Sequence, residues 1–175
     1  MSKNLVQRGN LSSPLLIWNR TVSKCEALKK RVPDCEIAPS VSSAVSRADI
    51  IFSCLADDNA VSKVFEEALS GDVKGKLFVS CSTITPKTTE EISSKCKELG
   101  AGFVSMPGKT TTNSPASVEG TLEKRCCTDD YGLVFGEPGL AEKGLLVCVP
   151  VGEPEDVKKV LPYTTGVYVP SLFRG

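Results

Sequence analysis

The chain has 175 residues, enough for one domain with a buried core, and its 41% hydrophobic and 24% charged content is ordinary for a globular protein. Lys+Arg and Asp+Glu both number 21, so bulk charge makes no case for nucleic acid or an anionic membrane as partner. There is no histidine, which excludes Ser-His-Asp and Cys-His nucleophile pairs and the usual histidine zinc sites, and leaves acid–base chemistry to Lys, Asp, Glu, Tyr or Cys.

Apolar runs alternate with helical patterns along the chain. Ser2–Gly9 reads as the end of a helix stopped by Gly9, and Leu15–Trp18 as a short buried strand. Thr21–Arg31 follows as a short helix, with Val22, Cys25 and Leu28 expected on one face. Val41–Ala48 is a weak helix, and Asp49–Leu55 a near-continuous apolar strand. Asn59–Ser70 places Val61, Val64, Phe65 and Leu69 on one helical stripe. Lys76–Ser82 is another strand, and the next helix opens at Pro86 and closes at Gly100. Ala101–Pro107 and Leu145–Val149 read as strands, and Glu153–Leu161 as a helix.

Continuous apolar strands separated by amphipathic helices predict a parallel sheet covered on both faces, a doubly wound α/β fold. Ligands in such folds sit at the carboxyl ends of the strands. One region interrupts the pattern: Gly108–Leu133 is rich in Ser, Thr, Gly and Asp and has little periodicity, so it reads as disordered or foreign to the fold. No run of 18 apolar residues predicts a membrane span, and the N-terminus lacks an apolar signal core, so a cytoplasmic protein is expected. The 8 cysteines are scattered without a C-x-x-C, and read as free buried thiols.

The residues after each strand carry the candidate chemistry. After the first strand comes Asn19-Arg20-Thr21. In a Rossmann fold an arginine at the tip of the second strand accommodates the 2′-phosphate of NADP, where an acidic residue would hold the free ribose of NAD. Arg20 supplies a planar cationic fork, and Asn19 and Thr21 add hydrogen-bonding groups. Equally, Thr21 could cap the following helix while Arg20 is simply solvated. In Cys54–Val61, Asp57 or Asp58 could cap a helix, or the loop could line a dinucleotide cleft. In Cys81–Pro86, Ser82, Thr83 and Thr85 could meet a ligand near a helix N-terminus, with capping accounting for at least one of them. The stretch Gly102–Thr110 fails the spacing of a phosphate-binding P-loop.

In order and spacing, "WNRT", "ADIIFSCLADDNAV", "GKLFVSCSTITP", "KELGAGFVSMP" and "VFGEPGLAEKGLLVCVPVG" resemble the β-hydroxyacid dehydrogenase family. That family includes 3-hydroxyisobutyrate dehydrogenases, glyoxylate reductases and the cofactor domain of 6-phosphogluconate dehydrogenase. The resemblance implies a Rossmann-like α/β domain that binds NADP. By it, Asn19, Arg20 and Thr21 hold the adenosine 2′-phosphate; Leu55, Ala56 and Asp57 lie beside the adenosine half; and Thr83 lies near the nicotinamide ribose. The implied partners are NADP(H) and a small hydroxy acid or aldehyde, with no nucleic acid, membrane or metal.

The family places a first strand and a G-x-G-x-x-G turn just before the helix that here begins Met1-Ser2. The expectation is therefore a doubly wound parallel sheet lacking the first strand and Gly-rich turn. Residues 1–167 would form an incomplete NADP-binding domain, with 108–133 as disordered or unspliced insert and 168–175 as a divergent tail. Unpaired inner strand edges would cost about 1–3 kcal/mol per buried unsatisfied group and leave the chain marginal. No lysine here matches the family's catalytic lysine, so no catalytic residue is assigned. The expected function is the NADP-binding domain of an NAD(P)-dependent oxidoreductase, catalytically incomplete. A non-catalytic NADP-binding or interaction module, or a gene-model fragment, is the alternative.

Overall fold

The structure, a computed structural model, describes residues 2–106, 108–109, 133–135 and 147–164. The order is α1 (Ser2–Arg8), β1 (Leu15–Ile17), α2 (Val22–Arg31), β2 (Cys35–Ile37), α3 (Val41–Arg47), β3 (Ile50–Ser53), α4 (Asp58–Ala68), β4 (Leu77–Ser80), α5 (Pro86–Glu98), β5 (Gly102–Ser105), β6 (Gly108–Lys109), β7 (Leu133–Phe135), β8 (Val147–Val149), β9 (Val151–Gly152) and α6 (Pro154–Thr164). The strand–helix alternation is the α/β fold expected from the apolar runs.

The strands fall into three sheets among the described residues. β1 pairs β2 in parallel, and β3–β4–β5 run parallel with β9 antiparallel at the β5 edge. A third sheet joins β6, β7 and β8. Its β6–β7 pairing, Gly108 opposite Val134 and Lys109 opposite Phe135, brings together the two ends of the region read as an insert. Residues 110–132 of that region, and the tail 168–175, lie outside the described residues.

β4 shows why its sequence is apolar without a break from Leu77 to Val79. All four residues of Leu77–Ser80 are buried, because helices cover both faces. Leu77 and Val79 point into a cluster with Leu5, Val104, Met106 and Val160. Phe78 points the other way, into a cluster with Val61, Phe65, Ile92 and Cys96 from α4 and α5. The Phe65 and Phe78 rings lie 5.6 Å apart there. Val61 and Phe65 are buried, with Val64 and Leu69 packed at the cluster margin, so the predicted stripe of α4 is the face that meets the sheet.

Glycine closes α5 as its position suggested. Gly100 takes φ +72°, and the Ala101 N–H reaches back to the Cys96 carbonyl. Two details differ from the sequence pattern. β2 spans three residues between Pro33 and Pro39, too short for any periodicity to show. Val22, at the first position of α2, is 58% exposed rather than sharing the face of Cys25 and Leu28 that packs against β1 and β2.

The inner edges of β1 and β3 face a common cleft of about 210 Å³, lined by Leu15, Leu16, Ile50, Phe52, Leu5 and Tyr163 among others. Among the described residues β1 has one paired neighbour, β2, and β3 has one, β4. Leu15, Ile50 and Phe52 also pack against the same cluster, so side chains of both sheets share one core.

Candidate functional site

The three parallel strands β3, β4 and β5 each end on a serine. In register across the carboxyl rim stand Ser53, Ser80 and Ser105. Just beyond them lie the βα turns. Trp18, Leu55 and Ile84, one from each of the first three candidate loops, pack against the same buried cluster. That shared anchoring brings the tips of β1, β3 and β4 to one face of the domain.

At the β1 tip, the Thr21 N–H donates to Asn19 Oδ1 at 2.9 Å. This local turn holds the backbone of residues 19–21 and presents Arg20 outward. Arg20 is exposed, and its guanidinium makes no ion pair among the described residues. Thr21 occupies the N-cap of α2 but its side chain makes no capping bond. Capping therefore does not account for the Thr21 hydroxyl, which stays exposed beside Arg20.

The loop after β3 divides its labour. Asp57 is the N-cap of α4, its Oδ1 accepting the Ala60 N–H at 2.8 Å. Ala56 is exposed and Leu55 partly buried. The Leu55 N–H donates to Ser82 Oγ at 2.8 Å, across to the loop after β4. There Thr85 caps α5, and Thr83 is exposed. Of the hydroxyls read as ligand candidates, Ser82 and Thr85 bond across to the loop after β3, and Thr83 is exposed.

A second link between these loops was not read as a pair from the sequence. Asp58 Oδ1 accepts three hydrogen bonds: the Thr85 N–H at 3.0 Å, the Thr85 hydroxyl at 2.6 Å and the Thr88 hydroxyl at 2.6 Å. The Thr85 hydroxyl, then the Thr88 hydroxyl and the Thr85 N–H, hold the Asp58 carboxyl down at about 2, from an ordinary 3.8. Two consecutive acids where one suffices as cap, and a Thr-x-x-Thr at the start of α5, were the available signals.

A cationic fork stands at the tip of one sheet and hydroxyl-bearing loops stand at the tips of the other. Among the described residues there is no group of three or more His, Cys, Asp or Glu placed to hold a metal ion.

A family model described as the NAD binding domain of 6-phosphogluconate dehydrogenase matches residues 1–118. The chain belongs to this family. The chain therefore carries an NAD-binding domain, with the Rossmann-like α/β fold that the strands already showed. Among relatives of this NAD-binding domain, an NADH-dependent oxidoreductase of Aspergillus ustus is 37% identical over 167 residues, covering 95% of the chain and 50% of that protein. The structure of Mycobacterium tuberculosis 3-hydroxyisobutyrate dehydrogenase with L-serine superposes with TM-score 0.73 at 16% identity, over 95% of the chain and 46% of that one. An imine reductase of Myxococcus stipitatus in complex with NADP+ gives TM-score 0.67 at 20% identity, over 95% of the chain and 48% of that one. The chain spans half or less of the length of each, and the two structural likenesses bear on fold alone.

Proposed function

We propose that this domain binds NADP(H) in preference to NAD(H), and serves an oxidoreductase acting on small hydroxy acids or aldehydes. The observation that carries the cofactor preference is Arg20: exposed, unpaired among the described residues, and fixed outward by the Asn19–Thr21 turn. An arginine at this tip meets a 2′-phosphate with charge-assisted hydrogen bonds, and the Thr21 hydroxyl stands ready as a second donor. No acidic side chain occupies residues 19–21 to favour a free ribose. Leu55, Ala56 and Asp57 flank the adenosine half, and Thr83 meets the ribose of the nicotinamide. The nicotinamide, when bound, supplies hydride chemistry, while the protein supplies binding and orientation.

The Aspergillus ustus relative is named for NADH, so the choice between cofactors is a sharp test. Titration of the purified chain with NADPH and with NADH, followed by nicotinamide fluorescence, decides it. Tighter binding of NADPH is expected; equal or tighter binding of NADH removes Arg20 as the determinant. For substrate class, hydride transfer from NADPH to glyoxylate or succinic semialdehyde by the longer protein is the corresponding measurement, and no turnover with either refutes that part.

A further inference from the structure

We infer that Asp58 and Ser82 are positioning residues that stitch two cofactor loops into one rigid wall. The inference rests on the cofactor reading above, in which Leu55–Asp57 face the adenosine half and Thr83 the nicotinamide half.

The two βα turns belong to adjacent parallel strands, β3 and β4, and carry different parts of the site. Left alone, each would be a short exposed loop with its own freedom. Two side chains tie them together. Ser82, 3% exposed, accepts the Leu55 N–H from the neighbouring loop. Asp58 reaches the opposite way, from the first residue of α4 to the cap of α5. A single carboxylate oxygen there gathers one amide and two hydroxyls. Thr88 is buried, so that part of the link is shielded from competing water.

The division between the two acids follows from geometry. Asp57 is spent within its own helix, on Ala60. Asp58 is not the N-cap of α4, and its Oδ1 bonds to Thr85 and Thr88 of the next βα unit. The stitches cross between the loops once at each side of Thr83: Ser82 precedes it and Thr85 follows it. Thr83 is therefore carried on a segment pinned at both ends to the loop that bears Leu55 and Ala56. A dinucleotide that touches both loops meets them already at their bound spacing. A fragment that touches one loop gains nothing from that spacing, because preorganisation helps only ligands that span the groups being held.

The test compares the intact chain with Asp58→Ala, Asp58→Asn and Ser82→Ala, using two ligands and a ligand-free measurement. Amide hydrogen exchange in the free protein reads the stitch directly. Asp58→Ala is expected to raise exchange at Thr85 by up to about tenfold, and Ser82→Ala to do the same at Leu55. The Asp58→Asn chain, which keeps a carbonyl acceptor, is expected to fall between. In the binding arm, Asp58→Ala weakens NADPH by about tenfold and leaves adenosine 2′,5′-bisphosphate within about twofold. Unchanged exchange at Thr85 in Asp58→Ala overturns the stitch whatever the nucleotides do. Raised exchange with unchanged NADPH affinity overturns the positioning role. Equal weakening of both ligands with a lowered melting temperature reduces Asp58 to a general stabiliser and overturns it too. An intact chain that binds neither nucleotide sinks the cofactor reading and this inference with it, and the exchange arm distinguishes that outcome from a missing stitch.

Discussion

Thr85 donates both its hydroxyl and its N–H to Asp58 Oδ1, at 2.6 and 3.0 Å, so that the cap of one helix is held by the first residue of another. These bonds stabilise the ionised carboxylate and hold its pKa near 2, against an ordinary 3.8. A group whose folded pKa lies below its unfolded value contributes stability that is whole above the unfolded pKa and is lost as pH falls through the folded one. The contribution of Asp58 is therefore complete above about pH 4 and fades toward about pH 2. Urea unfolding of the wild type and of Asp58→Asn, followed by circular dichroism, measures it. The gap between their midpoints should narrow across that window. A gap of the same size at both ends of it contradicts the charge-dependent role.

Reversing the charge at the β1 tip should reverse cofactor choice. Arg20→Asp removes the cationic fork and places a carboxylate where a 2′-phosphate would arrive. A charge-assisted hydrogen bond contributes about 1.5–3 kcal/mol, so NADPH affinity should fall by about 10- to 100-fold. NADH lacks that phosphate and should change by less than about threefold, or improve through a bond from Asp to the ribose. Isothermal titration with both nucleotides gives the ratio. Parallel losses for the two would mean that the substitution damaged the fold rather than the recognition.

The strands were legible because burial on both faces leaves no alternation to misread. β4, with Val79 at 0% and Phe78 at 1% exposure, could hardly have been polar anywhere along Leu77–Val79. β2 was not legible. Its middle residue, Glu36, is partly exposed and pairs with Arg47 of α3, so the strand offers no apolar run. The loops of the site were legible as positions, because ligand loops follow parallel strands. Their internal assignments were not. Whether Asp57 or Asp58 caps α4, and whether Thr21 caps α2, depends on side-chain direction. The Asp58–Thr88 bond joins residues 30 apart in sequence, and only the sheet register makes them neighbours.

The cluster beneath α4 and α5 should dominate stability. Phe78 is 1% exposed and tilts 48° against the Phe65 ring at a centroid distance of 5.6 Å. Phe78→Ala removes that ring from the middle of the sheet face and should cost about 3–5 kcal/mol. Leu99, 45% exposed at the end of α5, serves as the control. Leu99→Ala should stay within about 0.5 kcal/mol. Chemical denaturation gives both values, and similar losses for the two would show that the cluster is not the core.

Cysteine reactivity offers an independent probe of the same cluster. Cys96 lies in it at 0% exposure, and burial pushes its thiol up to about 12. At pH 8 its thiolate fraction is on the order of one in ten thousand, and the thiolate is the species that alkylates. Modification of Cys96 in the native protein therefore has to wait for an opening of α5 from the sheet. Cys54, just past β3, is exposed to reagent, although desolvation raises its thiol as well. Iodoacetamide labelling at pH 8, resolved residue by residue by mass spectrometry, should modify Cys54 before Cys96. Cys96 should follow only across the urea range that unfolds the domain, and Phe78→Ala should bring its labelling to lower urea. If Cys96 reacts as fast as Cys54 without denaturant, α5 does not cover β4 and β5 as the structure has it.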